Sequence, residues 1–221
     1  MNPDKSTRQT AEEIFPGNGE LQVLLRQLDW SKTPLGPVEQ WPHNLISYVK
    51  MILDLPAPAI ICWGPEQTQI YNEGYALIMG PRHPKYFGLP YRECWPDTYP
   101  LIHPWMKKVL EHNESTKVEK AFFTLTRHGF SEEAYLTFTF SALRDDTSAI
   151  AGLLQLGTEV TEAVLSERRA ETLRLLALKP VSANPLQDAV EFLAGNPKDI
   201  PFALFYLWNE TEGKLVLTGQ T

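Results

Sequence analysis

An α+β fold built around an antiparallel sheet is what this sequence predicts, and three observations carry that expectation. The first is residues 59–75, AIICWGPEQTQIYNEGY. A five-residue apolar run, a Gly64-Pro65 break, a second short run and then Asn72-Glu73 opening a helical segment read as strand, turn, strand, helix. The second is residues 99–112, where Leu101, Ile102, Trp105, Val109 and Leu110 recur at helical spacing. The third is a set of strand-like runs at residues 118–126, 134–143 and 150–158, joined by polar connections. In the middle run Leu136, Phe138 and Phe140 alternate with Tyr135, Thr137, Thr139 and Ser141, the period of a strand with one buried face. The expected result is five antiparallel strands, with helices inserted between the second and the third.

The segments before this core read as two amphipathic helices. Leu21, Leu24, Leu25 and Leu28 line one helical face, and the breaker-rich WSKTPLGP follows. Leu45, Tyr48, Val49 and Ile52 repeat the spacing after Trp41-Pro42, where proline suits a first turn. Pro56 and Pro58 end that helix and hand over to the first strand. Residues 1–10 are polar, have no apolar secretory core, and are expected to be a disordered start.

Beyond the core, residues 158–179 are helical in composition, with Ala163, Ala170 and Ala177 seven apart and Leu173 between the last two. Arg168, Arg169 and Arg174, mixed with Glu167 and Glu171, suit either a two-helix seam or a single solvated helix. Pro180 is expected to stop it. Asn184-Pro185 with Leu186, Val190 and Leu193 reads as a capped helix, followed by a strand at 201–208, a turn at 209–213 and a second strand at 214–218.

The run at residues 59–75, the GLPYRECWP motif at 88–96 and Glu159-Val160-Thr161 at the exit of the last strand are similar in order and spacing to a PAS sensor domain. The later pattern, a helix, NPKDIPFALFYLW, a turn and KLVLTG, resembles the start of a GAF domain. Only that start is present, where a whole domain of the kind needs on the order of 100 residues or more. The resemblance implies a PAS fold with N-terminal cap helices, an exit helix and a partial GAF unit. It divides the chain into cap helices with their disordered start at residues 1–57, a PAS domain at 58–161, a signalling helix at 162–183 and a truncated GAF start at 184–221. It also implies the sensory input region of a bacterial histidine kinase in a two-component phosphorelay. Glu159, Val160 and Thr161 would couple the sheet to an exit helix that pairs with its twin in a homodimer, and a downstream output domain or kinase would be the partner.

Several function classes are not expected. Lys and Arg number 20 against 27 Asp and Glu, a net charge of −7, with no basic block for nucleic acid. No apolar run approaches the roughly 20 residues of a membrane span, and a cytoplasmic location is expected. Cys62 and Cys94 lack a CxxC partner, so neither a zinc site nor a disulfide framework is expected, and both read as small buried hydrophobes. Nucleotide loops, HExxH and GxSxG are missing, so the chain is not expected to be an enzyme. No metal site is expected from the scattered His43, His83, His103, His112 and His128.

Among cofactors, flavin photochemistry is disfavoured because Tyr91 stands where the photoreactive cysteine of that PAS subtype would be. Haem is disfavoured because His103 precedes Pro104 in a first helical turn, where a histidine more often faces solvent or caps. Bilin is disfavoured because the partial GAF unit has no cysteine. The ligand, if there is one, is not named by the sequence. Candidates to line its pocket are Tyr71, Tyr75, Arg92, Trp95, Trp105, Phe122, Phe138 and Phe140. Two plainer readings stand beside that one: the rings simply fill the core, and the domain is a ligand-free interaction or dimerisation module.

Overall fold

The computed structural model describes residues 10–127, 129–178 and 183–221. The expected disordered start, the helix stop at Pro180 and His128 lie outside these described residues, apart from Thr10. The chain divides into two compact units, Met1–Thr161 and Glu162–Thr221.

The first unit is organised by a sheet of five strands: β1 (Ala59–Trp63), β2 (Thr68–Tyr71), β3 (Thr116–Leu125), β4 (Glu132–Arg144) and β5 (Ile150–Glu159). Their order is β2-β1-β5-β4-β3, every pairing antiparallel. Between β2 and β3 lie α4 (Glu73–Met79), α5 (Tyr91–Cys94) and α6 (Tyr99–His112). Both expectations for the core, the strand count and the insertion of the helices, hold, and this is the PAS arrangement. The register sets Tyr71, Ile60, Gln155 and Phe140 in one row across the sheet. Trp105 of α6 meets Phe140 at 6.1 Å between ring centroids, so α6 covers the face that this row presents.

The opposite face is covered by the N-terminal segment. Of its helices, α1 (Ala11–Ile14), α2 (Glu20–Gln27) and α3 (His43–Leu53), the third packs on β1 and β2. Tyr48 of α3 contacts Trp63, which has the opposite parity in β1 to Ile60. With both faces covered, all of β1 and β2 is buried, which explains why β1 reads as a continuous apolar run rather than an alternating one. α1 was not foreseen. Four residues are too few for periodicity, but Thr10 and Glu13 form a capping box, with Thr10 N donating to Glu13 Oε2 at 2.8 Å.

Two side chains tie distant parts of this unit together. Asn72 caps α4, its Oδ1 accepting from Tyr75 N and Ala59 N, while its Nδ2 donates to the carbonyls of Leu55 and Ala57, all at 2.8–3.0 Å. α3 follows a proline and has no side-chain cap of its own. Asp146, from the β4–β5 turn, supplies one by accepting from His43 N and Asn44 N at 3.0 and 2.9 Å. On the open edge of the sheet, β3 shifts register between Val118 and Ala121, with Lys120 at φ 51°. A bulge carrying a lysine makes that edge a poor template for another strand.

In the second unit α7 (Thr161–Leu178) crosses the boundary with the first, and α8 (Pro185–Ala194) precedes a hairpin of β6 (Leu204–Asn209) and β7 (Lys214–Gln220). Asn184 caps α8 as expected. No described residue from Glu162 to Thr221 is buried. The heptad positions Ala163, Ala170, Leu173 and Ala177 are all exposed, Leu173 to 67%. Polar contacts hold the unit instead. Arg168 grips Asp199 with two hydrogen bonds of 2.8 and 2.7 Å, and Asn196 Nδ2 donates to Thr172 Oγ1 at 2.9 Å.

Candidate functional site

Between the α6-covered face of the sheet and the inserted helices lies a cavity of about 20 Å³. That is room for little more than a water molecule. α4 contributes Tyr75 and Ile78, the α5 segment Tyr91 and Trp95, and the start of α6 Thr98 and Ile102. β3 and β4 supply Phe123, Leu125, Leu136 and Phe138 from the other side. Aromatic and aliphatic groups at inward-facing strand positions therefore meet apolar helix faces, as two half-buried elements must.

Polar atoms are also buried in the core of this unit. Trp95 Nε1, Thr98 Oγ1, His103 Nδ1, Gln69 Oε1, Thr68 Oγ1 and both amide atoms of Gln155 have no hydrogen-bond partner. The Gln155 amide comes near the Tyr75 hydroxyl, which also faces that of Tyr91, without the geometry of a hydrogen bond to Gln155. Burial pushes the pKa of both tyrosines well above its ordinary value, so both hydroxyls stay protonated. Burial likewise raises the thiol of Cys62 strongly and that of Cys94 to about 11. Cys94 Sγ lies 4.0 Å from Met79 Sδ. Neither cysteine presents a thiolate near neutral pH, so this site holds no activated sulfur nucleophile.

A polar chain runs from the core towards the cap. The Tyr71 hydroxyl sits 3.0 Å from His83 Nδ1, and His83 Nε2 sits 2.9 Å from Glu20 Oε1 at the start of α2. Tyr71 also packs edge-on against Phe87, with centroids 5.0 Å apart.

At the exit of the sheet, Arg127 pairs with Glu159 through two contacts of 2.6 and 3.0 Å and with Glu132 at 2.9 Å. These carboxylates raise the pKa of Arg127 still further. Val160 N donates to Tyr135 O at 2.8 Å, and Tyr135 N donates in return to Thr161 Oγ1 at 2.9 Å. Thr161 Oγ1 lies 2.8 Å from Glu159 Oε1. Three consecutive residues are thus fastened to β4 and to the β3–β4 connection at the point where α7 begins.

Of the eight candidate pocket residues, Tyr75, Trp95 and Phe138 line the cavity. Tyr71, Trp105 and Phe140 are packed elsewhere in the same core, Tyr71 beside His83 and Trp105 against Phe140. Arg92 and Phe122 do not join them. Arg92 is exposed, because the α5 turn that buries Tyr91 and Cys94 points the intervening side chains outward. Phe122 is 49% exposed and pairs across strands with Tyr135, since its parity is opposite to that of buried Phe123. The expected solvent-facing or capping role of His103 also needs correction: its ring is half-buried against Tyr99, and its Nδ1 is enclosed.

Sequence reasoning missed Arg127, Thr98 and Gln155. A lone glutamine at an inward position of an otherwise apolar strand was a readable signal for Gln155. The partners of Arg127 lie too far along the chain to be read from spacing.

No protein-family model and no curated protein matches this chain. Solved structures similar to it include PAS and LOV domains. One, described as an RNA-binding Light-Oxygen-Voltage receptor, is 14% identical over 59% of this chain at a TM-score of 0.44, and the match spans only 36% of that chain. A PAS domain of a protein from Colwellia psychrerythraea is 12% identical, with 53% of this chain and 98% of that one covered and a TM-score of 0.40. A sensory box sensor histidine kinase from Vibrio cholerae is 12% identical over 53% of this chain and 89% of that one, with a TM-score of 0.37. The fold assignment itself rests on the strand order and helix insertion described above. No helix among the described residues is long and apolar enough to cross a membrane.

Proposed function

We propose that this chain is a sensory and regulatory module of a bacterial signal-transduction protein, the input region of a cytoplasmic histidine kinase, with a PAS domain at residues 58–161 followed by a signalling helix and the start of a GAF domain. Occupancy of the interior cavity biases the sheet, and Glu159, Val160 and Thr161 pass the change to α7. The observation that carries this reading is the fastening of those three residues to Arg127 and Tyr135 where β5 gives way to α7. A small displacement of β4 or of the β3–β4 connection must then either move the root of the helix or break its bonds.

A second reading, a ligand-free dimerisation module, is favoured by the small size of the cavity and by the exposed leucines of α7. In both readings α7 pairs with its counterpart in a homodimer. Native mass spectrometry of the chain purified from its own host separates the two. A mass excess lost on denaturation supports sensing. A bare mass, with a dimer that dissociates when glutamate replaces Ala170 and Leu173 together, supports the second reading. A bare chain that stays monomeric at every concentration sinks both.

A further inference from the structure

The short helix α4 joins the interior cavity to the exit of the sheet, an inference that rests on the sensory reading above and concerns the regulation of that site. Two of its side chains, Tyr75 and Ile78, line the cavity. Its first end is pinned. Asn72, which caps the helix, also binds Ala59 N and the carbonyls of Leu55 and Ala57 at 2.8–2.9 Å. That end cannot shift without breaking three side-chain hydrogen bonds to the segment that enters β1.

The other end abuts the exit. Gly80 closes α4 at φ 53° and ψ −129°, a conformation that glycine adopts and side-chain-bearing residues avoid. A Cβ at Gly80 would lie 3.2 Å from both Cβ and Cγ of Arg127. α4 therefore ends against the stem of the arginine whose guanidinium holds Glu159 and Glu132. Ile78 reaches the same strand from the cavity side. Gly157 of β5 pairs with Phe138 two residues before Glu159, and a Cβ there would lie 3.3 Å from Phe138 Cε1 and 3.6 Å from Ile78 Cδ1. Without a side chain at Gly157, two cavity-lining groups close over the β5 backbone. A close-packed interior transmits displacement because no free space absorbs it.

We propose that α4 is a lever for the exit: pivoting at Asn72, it carries a displacement of Tyr75 and Ile78 to Gly80, which shifts the Arg127 stem and loosens its grip on Glu159. The grip is then set by a helix that touches the cavity at its middle and Arg127 at its end.

Amide exchange of the full chain reads this grip, because the N–H groups of Val160 and Tyr135 are both bonded at that point and exchange as it opens. Amides of Ile61 and Cys62, in the inner strand β1, report global unfolding of each variant. Gly80→Ala places a methyl group against the Arg127 stem, and Ile78→Val removes the Cδ1 atom that approaches Gly157. Each is expected to speed exchange at Val160 and Tyr135 about tenfold relative to the β1 amides. Leu77→Ala, at an α4 residue 78% exposed, is expected to leave that ratio unchanged. Arg127→Gln keeps the stem that Gly80 touches but loses the guanidinium, and adding Gly80→Ala to it is expected to change nothing further. If Gly80→Ala does not fold, Ile78→Val and Leu77→Ala decide. An unchanged ratio in folded Ile78→Val or Gly80→Ala overturns the proposal, as does an equal acceleration by Gly80→Ala with and without the Arg127 guanidinium. The expected pattern in a chain that carries no bound molecule by native mass spectrometry leaves this inference standing and counts instead against the sensory reading.

Discussion

The two units of this chain are built from similar secondary-structure signals and reach opposite outcomes. Every buried residue among the described residues lies in the first unit, between Ile14 and Gly157. The second has an amphipathic helix, a capped start and a strand pair, yet buries none and displays Phe202, Leu204, Leu207, Trp208, Leu215 and Leu217 to solvent. Local patterns are thus enough to form elements but not a core. A two-stranded hairpin has only one partner per strand, whereas β1 is sandwiched between β2 and β5 and covered on both faces. Stability from apolar burial is therefore concentrated in the first unit, and the second depends on polar contacts such as Arg168 with Asp199.

The sharpest way to break this comparison is a matched pair of truncations. Phe140→Ala, at a fully buried position, is expected to destabilise the first unit by about 3–5 kcal/mol. Leu207→Ala, at a residue 54% exposed, is expected to change stability by no more than about 0.5 kcal/mol. Denaturant melts monitored by circular dichroism check both, and comparable losses would end the contrast. Deleting residues 182–221 should for the same reason leave the main melting transition within a few degrees of the intact chain.

Within the first unit, satisfied and unsatisfied buried amides should respond in opposite directions. Asn72→Leu removes four hydrogen bonds and strands backbone groups of Leu55, Ala57 and Ala59, an expected cost of about 3 kcal/mol. Gln155→Leu replaces an amide with no partner and is expected to be neutral or stabilising by about 1 kcal/mol. A large loss in Gln155→Leu, seen by the same melts, would show that its amide is paired in solution.

A smaller effect is expected at the remote cap. Asp146→Ala leaves His43 N and Asn44 N without their acceptor and should cost about 1 kcal/mol, with faster amide exchange confined to the first turn of α3.

The smallest effect concerns pH in the second unit. Arg168, chiefly through its hydrogen bonds, holds the Asp199 pKa down from 3.8 to about 2. A depressed carboxylate contributes stability above its unfolded pKa and loses it as pH falls through the folded one. Ordering of the α7–Asp199 contact should therefore be constant above about pH 4 and decline between about 4 and 2. Amide exchange around Asn196 checks this, and in Arg168→Gln the acid-dependent step should flatten.

The difference between the units also marks how far the sequence could be read. An apolar run and the Gly64-Pro65 break located β1 and β2, and periodicity located the whole of α6, because both signals are local properties of the chain. The pocket candidates rest on residue type instead: Tyr75, Trp95 and Phe138 line the cavity, whereas Arg92 and Phe122 sit on outward faces that periodicity alone marks. α1 escaped notice through its length, although its Thr10-Glu13 box was there to be read.

What the sequence determined by itself is the set of elements, their order and which side of each is apolar, since those follow from spacing along the chain. Tertiary structure alone decided that Asp146 caps α3 from 102 and 103 residues away, that Arg127 anchors Glu159, and that Glu20 reaches Tyr71 through His83. It also decided that Trp95 Nε1 and Thr98 Oγ1 are buried without a hydrogen-bond partner. A hydrogen bond depends on where the folded chain brings two groups together, and no local pattern encodes a partner that only folding brings near.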